Sequence, residues 1–378
     1  MMEHLLALRH ALHQQPEISG QEIQTAATIR DFIQQHHPTE IWEKVGGHGL
    51  VAHYEFGQGG PTIWIRCELD ALPIQEVNPF AHRSQITGVS HKCGHDGHMT
   101  MVAGLIFWLK QQAFAQGRVA LIFQPAEETG AGGRDMLADP RMQGLEPDAV
   151  FALHNMPGQA LHQVILLESQ FSCTVQSVAI FLEGIETHAS APETGLNPAL
   201  TLAEILSFCQ SLNQPDLSRK DFCLITPVHA HLGKLAYGIA AGKGEVHLTM
   251  RTRAEEPMIT LCQRLHDYVH ERCQSRGLSY DLDWREAFPA APNDPTLNEL
   301  LSKVAADHNL DLQRQTLPYR FGEDFGHFAK KYPAIMFGLG AGEQHPDLHQ
   351  ADYDFPDALI PTGMGLFQGL IEALMEGK

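Results

Sequence analysis

The sequence predicts an α/β fold, with a mostly parallel sheet in a larger domain that is interrupted by an inserted α+β domain of ferredoxin-like topology. Two continuous apolar runs, Val119–Phe123 and Ala149–Leu153, are typical of strands that are covered on both faces. Between residues 172 and 286 the elements change to a β-α-β-β-α-β order, which is that of a ferredoxin-like sandwich. We therefore expect the larger domain over residues 1–171 and 287–378, and the insertion over residues 172–286.

The individual elements follow from apolar periodicity and from the residues that interrupt it. Leucines and isoleucines at helical spacing predict one helix before Pro16 and a second helix after it. The other predicted strands are Pro61–Cys67, Thr174–Leu182, Phe222–Leu232, Gly244–Arg253, Leu278–Trp284 and Pro333–Gly338, and the other predicted helices are Pro198–Leu212, Pro257–Arg276 and Thr296–His308.

Composition limits the classes of function. The chain has 26 Lys and Arg against 45 Asp and Glu, and this formal charge of −19 argues against nucleic-acid or anionic-membrane partners. Its seven cysteines show no regular spacing, which favours reduced thiols over a disulfide framework. The first residues lack the apolar core of a signal peptide, and no run reaches transmembrane length. We therefore expect a cytoplasmic protein.

Acids and a histidine follow the predicted strands of the larger domain. Glu68 and Asp70 come after the first of these strands, Glu127 and Glu128 after the second, and His154 after the third. In an open parallel sheet, ligands bind beyond the carboxyl ends of the strands. The sequence therefore predicts that these five side chains gather along one edge of the sheet and form a site.

The segment from His91 to His98 contains three histidines, one cysteine and one aspartate, separated by glycines. Cys93 and His95 are spaced so that one metal ion, or a close pair of ions, could bind both side chains. The glycines allow the backbone to turn sharply around an ion. The alternative is a histidine-rich loop that caps a helix, because the protein contains 23 histidines.

The chemistry of these residues favours transition metals. Cys93, His95, Glu128, His154 and a histidine near the C-terminus offer sulfur, nitrogen and oxygen donors, which suit Zn, Mn, Co or Ni better than Ca or Mg. Two such ions could activate a water molecule, and Glu127 could take its proton. Alternatively, Glu127 and Glu128 are solvated surface acids. His98 is expected to be an ordinary histidine, and Glu323–Asp324 are interpreted as charges at a helix N-terminus.

Several motifs, in one order along nearly the whole chain, resemble a known family. They are Leu8-Arg9 with His13 and Pro16-Glu17, Leu69-Asp70-Ala71-Leu72-Pro73, Cys93-Gly94-His95-Asp96-Gly97-His98, Gln124-Pro125-Ala126-Glu127-Glu128, Leu153-His154-Asn155, Thr187-His188-Ala189-Ser190-Ala191-Pro192, Glu323-Asp324-Phe325 and Leu348-His349. The chain resembles the aminoacylase and carboxypeptidase-G type of co-catalytic metallopeptidase. Within it, the chain is similar to the branch of hippurate hydrolases and hydrolases of auxin (IAA)–amino acid conjugates.

The resemblance implies a metal-binding catalytic domain with an inserted lid that often mediates homodimers, and hydrolysis of the amide in N-acyl amino acids. By position, the metal ligands that it implies are Cys93, His95, Glu128, His154 and His349, with Cys93 bridging two divalent ions.

The resemblance also implies roles around the substrate. Glu127 matches the general base, and Asp70 matches the acid that orients the site. His188, in the lid, matches the histidine that holds the substrate carbonyl, including across a dimer interface. Arg251 lies where the family often places a cation for the substrate carboxylate.

The chain departs from the family pattern in the lid, where it has Tyr237-Gly238-Ile239-Ala240-Ala241 and Gly184-Ile185-Glu186-Thr187. The identity of the substrate is therefore open. A dipeptidase or carboxypeptidase of the same family is one alternative, and a non-catalytic metal or amino-acid binding protein is another. A dinucleotide-dependent oxidoreductase is disfavoured, because no early Gly-x-Gly-x-x-Gly lies between a strand and a helix.

Overall fold

A computed structural model describes residues Met1–Gly377, which form two units. The first unit comprises Met1–Phe171, Ala291–Pro318 and the described residues from Glu323 onward, and the second comprises Ser172–Ala290 and Tyr319–Gly322. The second boundary therefore lies later than the one expected at residue 286. The reason is that the last strand of the insertion continues until Phe288 pairs with Val175. The segment 319–322 returns to the second unit because Cys173 N–H donates to the Tyr319 carbonyl (3.0 Å).

Helices and strands are interspersed along the whole described chain. Up to residue 171 they are α1 (Met2–Gln14), α2 (Ile23–Gln34), β1 (Glu40–Val45), β2 (Gly49–Glu55), β3 (Thr62–Glu68), α3 (His95–Gly104), α4 (Ile106–Leu109), β4 (Arg118–Gln124), α5 (Gly132–Ala138), β5 (Ala149–Pro157) and β6 (Val164–Leu167). They continue with β7 (Thr174–Glu183), β8 (Thr187–His188), the 3₁₀ turn Pro192–Thr194, α6 (Ala199–Leu212), β9 (Cys223–Leu232), β10 (Ile239–Ala240), β11 (Lys243–Thr252), α7 (Glu255–Arg276) and β12 (Ser279–Phe288). The last are α8 (Pro295–Asp307), β13 (Leu312–Gln315), α9 (Gly326–Ala329), β14 (Ala334–Gly342) and α10 (Leu359–Met375).

The first unit is built on an eight-stranded mixed sheet with the order β1-β2-β4-β3-β5-β14-β6-β13. The pairs β4/β3, β3/β5, β5/β14 and β13/β6 are parallel, and the other pairs are antiparallel. The apolar run of β4 is buried along almost its whole length, as expected for a strand covered on both faces. Because β3, β4 and β5 are parallel neighbours, their carboxyl ends lie at the same edge of the sheet.

The second unit contains a four-stranded antiparallel sheet with the order β12-β7-β11-β9. Val246, Leu248 and Met250 of β11 are buried in one core with Leu265 and Val269 of α7. Alternate residues of β11 therefore point to the opposite face of the sheet. The predicted fold class is confirmed, including the ferredoxin-like order of elements, although the short strands β8 and β10 are not part of that prediction.

Two further observations concern the whole described chain. All seven cysteines are free thiols. Every helix among residues Met1–Gly377 is too short or too polar to cross a lipid bilayer.

Candidate metal centre

The acids and histidines that follow β3, β4 and β5 do meet at one edge of the sheet. Asp70 lies just after β3, and its Oδ2 accepts a hydrogen bond from the backbone N–H of Glu128, which follows β4 (2.9 Å). His95 Nε2 lies 3.9 Å from Glu127 Oε2 and 4.0 Å from Glu128 Oε1. The side chain of His154, on β5, reaches the same group, because its ring centroid is 6.3 Å from that of His95.

Cys93 and His95 flank a position, Gly94, that only glycine readily occupies. Gly94 has φ +92°, in the left-handed region, and a Cβ at this position would lie 2.5 Å from Asn155 Oδ1. Helix α3 begins directly afterwards, at His95. The Cys-Gly-His spacing therefore combines a sharp turn with a helix start, and both donor side chains are buried.

Among the groups of three potential ligand atoms in this region, two share Cys93. Cys93, His95 and His154 form one group, and Cys93, Glu128 and His349 form the other, with the ligand atoms of each group within 4.8 Å of one another. Cys93 Sγ lies 3.4 Å from His154 Nε2, and His349 Nε2 lies 3.7 Å from Glu128 Oε1. Because Cys93 belongs to both groups, the arrangement suits two cations that share one thiolate.

Hydrogen bonds fix the orientation of the histidine rings. His95 donates from Nδ1 to the carbonyl of Asp70 (2.9 Å), and His154 donates from Nδ1 to the carbonyl of Asn155 (2.8 Å). In both rings, the Nε2 atom is therefore the nitrogen directed at the cluster. The backbone of His349 has a left-handed φ of 66°, and its N–H donates to the Lys92 carbonyl (2.7 Å).

Two polar atoms at the centre of the cluster are buried without hydrogen bonds. His95 Nε2 and Glu128 Oε1 have no hydrogen-bond partner within the part of the chain that the structure describes. Leaving such atoms unpaired costs roughly 1–3 kcal/mol each. Coordination of a cation would satisfy both atoms, so the donor set fits divalent metal ions on the evidence of its own geometry.

The electrostatics of the cluster also favour cations. Burial, followed by the charge of Glu128, raises the pKa of the Cys93 thiol well above its usual value. Burial raises the pKa of Glu128 to about 7, with Asp70 adding to the effect and His95 opposing it. Each of these shifts disfavours additional negative charge, and a divalent ion reverses that preference.

Glu127 differs from Glu128 in its surroundings. Its carboxyl group lies within 4.8 Å of the carboxyl groups of Glu323 and Asp324. Burial, then the charges of Glu323 and Glu128, raise its pKa well above the usual value. A raised pKa makes the carboxylate of Glu127 more basic than an ordinary glutamate side chain, which is a property that a general base needs. The interpretation of Glu127 and Glu128 as solvated surface acids is therefore wrong.

Arg66 holds the acids behind the cluster. It is fully buried, and its guanidinium pairs with Glu68, with Glu323 (3.0 Å) and with Asp324 (2.6 Å). Glu323 does lie at a helix start, because its Oε1 accepts from the backbone N–H of Phe325, the residue before α9 (3.1 Å). Both acidic side chains are also buried in the Arg66 network, so helix N-terminal charge alone does not describe them. A sign was present in the sequence, since an arginine inside an apolar strand requires buried acids as partners.

The histidine that we expected to be ordinary does not point a free nitrogen at the cluster. His98 donates from Nδ1 to Glu68 Oε2 (2.7 Å), and its Nε2 accepts from the backbone N–H of Asn155 (3.3 Å).

A second buried network surrounds Asp96, the residue after His95. Its Oδ2 accepts hydrogen bonds from Arg9 Nη1 (3.3 Å) and from His13 Nδ1 (2.8 Å). His13 Nε2 contacts Glu76 (3.1 Å), which also pairs with Lys92 Nζ (2.6 Å). Burial opposes the charged form of His13, but Asp96 and Glu76 outweigh it and raise the pKa of His13 to about 9.

The two remaining site residues, His188 and Arg251, belong to the second unit. His188 is exposed on β8, and its Nδ1 accepts from the backbone N–H of Ser190 (3.1 Å). The proton of a neutral His188 ring is therefore on Nε2, which can donate to a ligand. Strand β8 pairs with β10 through His188 and Ile239, so the two segments that depart from the family pattern adjoin each other.

Arg251 lies on β11, where its Nη1 donates to the carbonyl of Arg320 (2.9 Å). Burial lowers its pKa from the usual value. Its role toward a substrate stays a prediction.

Known proteins resemble this chain along almost its whole length. The curated relatives include an N-acetyl-L-cysteine deacetylase from Bacillus subtilis, which is 28% identical over 99% of this chain and 90% of its own length. They also include an N-acetyldiaminopimelate deacetylase from Limosilactobacillus fermentum, which is 30% identical over 98% of this chain and 97% of its own length.

Solved structures share the fold. One is a Bacillus subtilis protein described as a dinuclear metal binding peptidase from the M20 family, with a TM-score of 0.82, 24% identity and coverage of 100% of this chain and 99% of that chain. Another is an aminobenzoyl-glutamate utilization protein from Klebsiella pneumoniae, with a TM-score of 0.75, 18% identity and coverage of 97% and 95%. The model of Peptidase family M20/M25/M40 matches residues 64–373. The chain therefore belongs to this peptidase family, and it is a hydrolase of amide bonds.

Proposed function

We propose that this hydrolase uses two divalent metal ions to cleave the amide of an N-acyl amino acid, releasing a carboxylic acid and the amino acid. The observation that carries the proposal is the pair of buried atoms without hydrogen-bond partners, His95 Nε2 and Glu128 Oε1, beside the carboxyl of Glu127. The relatives named as deacetylases of N-acetylated amino acids support this substrate class. We retain the hippurate-hydrolase branch as the finer proposal.

Five residues would hold the ions, with Cys93 shared: Cys93, His95, Glu128, His154 and His349. Zn, Mn, Co or Ni would suit these donors. When bound, such a metal pair supplies Lewis acidity, which polarises the amide carbonyl and makes water more acidic.

The reaction needs one proton to move from water to the leaving nitrogen. In this proposal Glu127 accepts that proton while the water oxygen bonds to the carbonyl carbon. Glu127 then donates it to the amide nitrogen as the C–N bond breaks. Asp70 supports the site from behind, because it fixes the His95 ring through its carbonyl and binds the Glu128 backbone through its carboxylate.

We further propose that the second unit acts on the substrate and is the lid and dimerisation domain. The Nε2–H of His188 would donate to the carbonyl oxygen as negative charge develops there, and Arg251 would bind the substrate carboxylate. The free thiols fit the proposed cytoplasmic location.

The test is amide hydrolysis by the purified full-length protein after chelation and after addition of Mn, Zn, Co or Ni. The substrates are N-acetyl, N-benzoyl and indole-acetyl amino acids, together with simple dipeptides. We expect chelation to abolish turnover and one of the metals to restore it, with N-acyl amino acids as the best substrates.

Other outcomes would replace the proposal. Preference for dipeptides would identify a dipeptidase or carboxypeptidase. Absence of turnover across the panel, despite two ions bound per chain, would favour a binding protein.

A further inference from the structure

We propose a second metal site, on the sheet of the second unit, formed by His229 and His231 of β9 with Glu245 and His247 of β11. We call these four residues the histidine face. The ligand class is a late divalent transition metal such as Zn²⁺, Ni²⁺ or Cu²⁺, since imidazole and carboxylate donors favour these ions. None of the four residues is among the proposed catalytic ligands, which all belong to the first unit.

Strand register places the four side chains together. In the antiparallel pair of β9 and β11, His229 lies opposite His247, and His231 lies opposite Glu245. Residues directly opposite each other on one face have Cβ atoms roughly 4.5–5.5 Å apart, and diagonal neighbours are within reach of long side chains. Val246 and Leu248 are buried in the core, so Glu245 and His247 point to the face away from that core.

A bulge produces this register. The pairing shifts between His247 and Leu248, because Leu248 lies opposite Pro227 whereas His247 lies opposite His229. Without the extra residue, Val228 would lie opposite His247, and both histidines of β9 would point to the other face of the sheet.

The side chains already interact in a way that suits a shared ion. His229 Nε2 lies 3.2 Å from Glu245 Oε1, and the His229 and His247 rings meet edge to face with centroids 5.3 Å apart. His247 Nε2 is shielded from solvent and has no hydrogen-bond partner among residues 1–377. The His231 ring is stacked on that of His229 with centroids 6.5 Å apart, and in this proposal it rotates toward the ion.

A second exposed histidine pair in the same unit provides a matched control. His266 and His270 are one turn apart on α7, with stacked rings 6.3 Å apart. Their Nδ1 atoms are already engaged, that of His266 by Asp267 (3.3 Å) and that of His270 by the Tyr280 hydroxyl (3.0 Å). The control pair therefore matches the histidine face in residue type, but both of its histidines are exposed whereas His247 is half-buried, and it lacks a shielded nitrogen without a partner.

The experiment measures Zn²⁺ bound per chain, by dialysis of the full-length protein against buffered free Zn²⁺ followed by elemental analysis. We expect the double variant His229→Ala/His247→Ala to bind one ion fewer than the wild type, with unchanged amide hydrolysis. We expect the control His266→Ala/His270→Ala to lose no ion. Equal metal content in the wild type and the first variant would overturn the proposal, and so would loss of the ion from the control.

A conservative variant separates ligand loss from misfolding. Glu245→Gln keeps the size of the side chain and removes its charge, so we expect weaker Zn²⁺ binding at an unchanged circular dichroism spectrum. Wild-type affinity for every ion in this variant would exclude Glu245 from the site and overturn the four-residue assignment.

Discussion

The candidate metal centre and the histidine face differ in how their histidine rings are held. In the first unit, His95 and His154 each donate from Nδ1 to a backbone carbonyl, and both are buried. On the histidine face of the second unit, the His229 side chain is 54% exposed and contacts Glu245, which is itself 32% exposed.

This difference separates preorganised ligands from adaptable ones. Rings that are already fixed lose little conformational freedom when a metal binds, whereas exposed side chains lose rotamer entropy. We therefore expect the ions of the first unit to bind more tightly and to support chemistry, and the ion of the second unit to exchange more readily. Four changes test this contrast, in order of decreasing effect.

Replacement of Glu127 by Gln should have the largest effect. The amide cannot accept a proton, so turnover should fall by roughly 100-fold to 10,000-fold while metal content is retained. Elemental analysis and a turnover assay check both parts. The control Glu343→Gln, an exposed carboxylate, should behave as wild type. Appreciable turnover by the Glu127 variant would remove this residue from the mechanism.

Replacement of Arg66 by Met should be the most destabilising of these changes. It leaves Glu68, Glu323 and Asp324 without their shared cation in a buried site, which we expect to lower the free energy of unfolding by about 3–5 kcal/mol. Urea denaturation measures the loss. Arg285→Met, which breaks an exposed pair with Asp283 in the second unit, should leave stability unchanged. Equal losses of stability in the two variants would contradict the distinction between the buried network of Arg66 and the exposed pair of Arg285.

His13 should make stability depend on pH. Burial opposes its charge, but Asp96 and Glu76 raise its pKa from 6.5 to about 9. Below pH 6.5 this histidine is protonated in the folded and unfolded states, and the buried ion pair contributes its full stabilisation. Between these two pKa values only the folded state keeps the proton, so the stabilisation declines and is lost as pH rises through about 9.

The amount lost should be about 3 kcal/mol at most. The measurement is urea denaturation of metal-free protein across this pH range, for wild type and His13→Asn. The difference between the two curves should shrink as pH rises. A constant difference would show that His13 does not titrate in this way.

The smallest expected effect concerns the serine that binds Asp70. Ser19 donates its hydroxyl to Asp70 Oδ2 (2.7 Å), so Ser19→Ala should weaken metal binding about tenfold. Ser190→Ala, which alters the exposed contact to His188, should leave metal affinity unchanged. Competition with a chelator measures both. If the Ser19→Ala variant binds metal as tightly as the wild type does, the hydrogen bond from Ser19 to Asp70 does not contribute to metal affinity.

Local patterns in the sequence were sufficient to predict the fold class and the clustering of the donors. The apolar runs of β4 and β5 indicated covered strands, and parallel strands necessarily bring Glu127 and His154 to the same edge. The glycine between Cys93 and His95 indicated a sharp turn at this point, and Gly94 does adopt a left-handed φ. These features depend on neighbouring residues or on strand direction, and both are readable from the chain.

The supporting networks could not be predicted in the same way. Arg66 and Asp324 are 258 residues apart, and Arg9 and Asp96 are 87 residues apart. No periodicity or spacing links such partners, since they meet only after distant segments have packed. The short strand β10 and the bulge in β9 are likewise set by pairing with other strands, so the sequence around them contains little sign of either.

The discontinuity of the first unit also has a consequence for protein synthesis. Strand β14 lies between β5 and β6 in the sheet, yet it is translated after the whole of residues 172–290. At typical translation rates, the edge of β5 that pairs with β14 therefore remains without its partner strand for roughly ten to thirty seconds. His349 emerges later still. A nascent chain thus carries an uncovered sheet edge after the second sheet has already been translated, and this is the interval in which chaperones would be needed most.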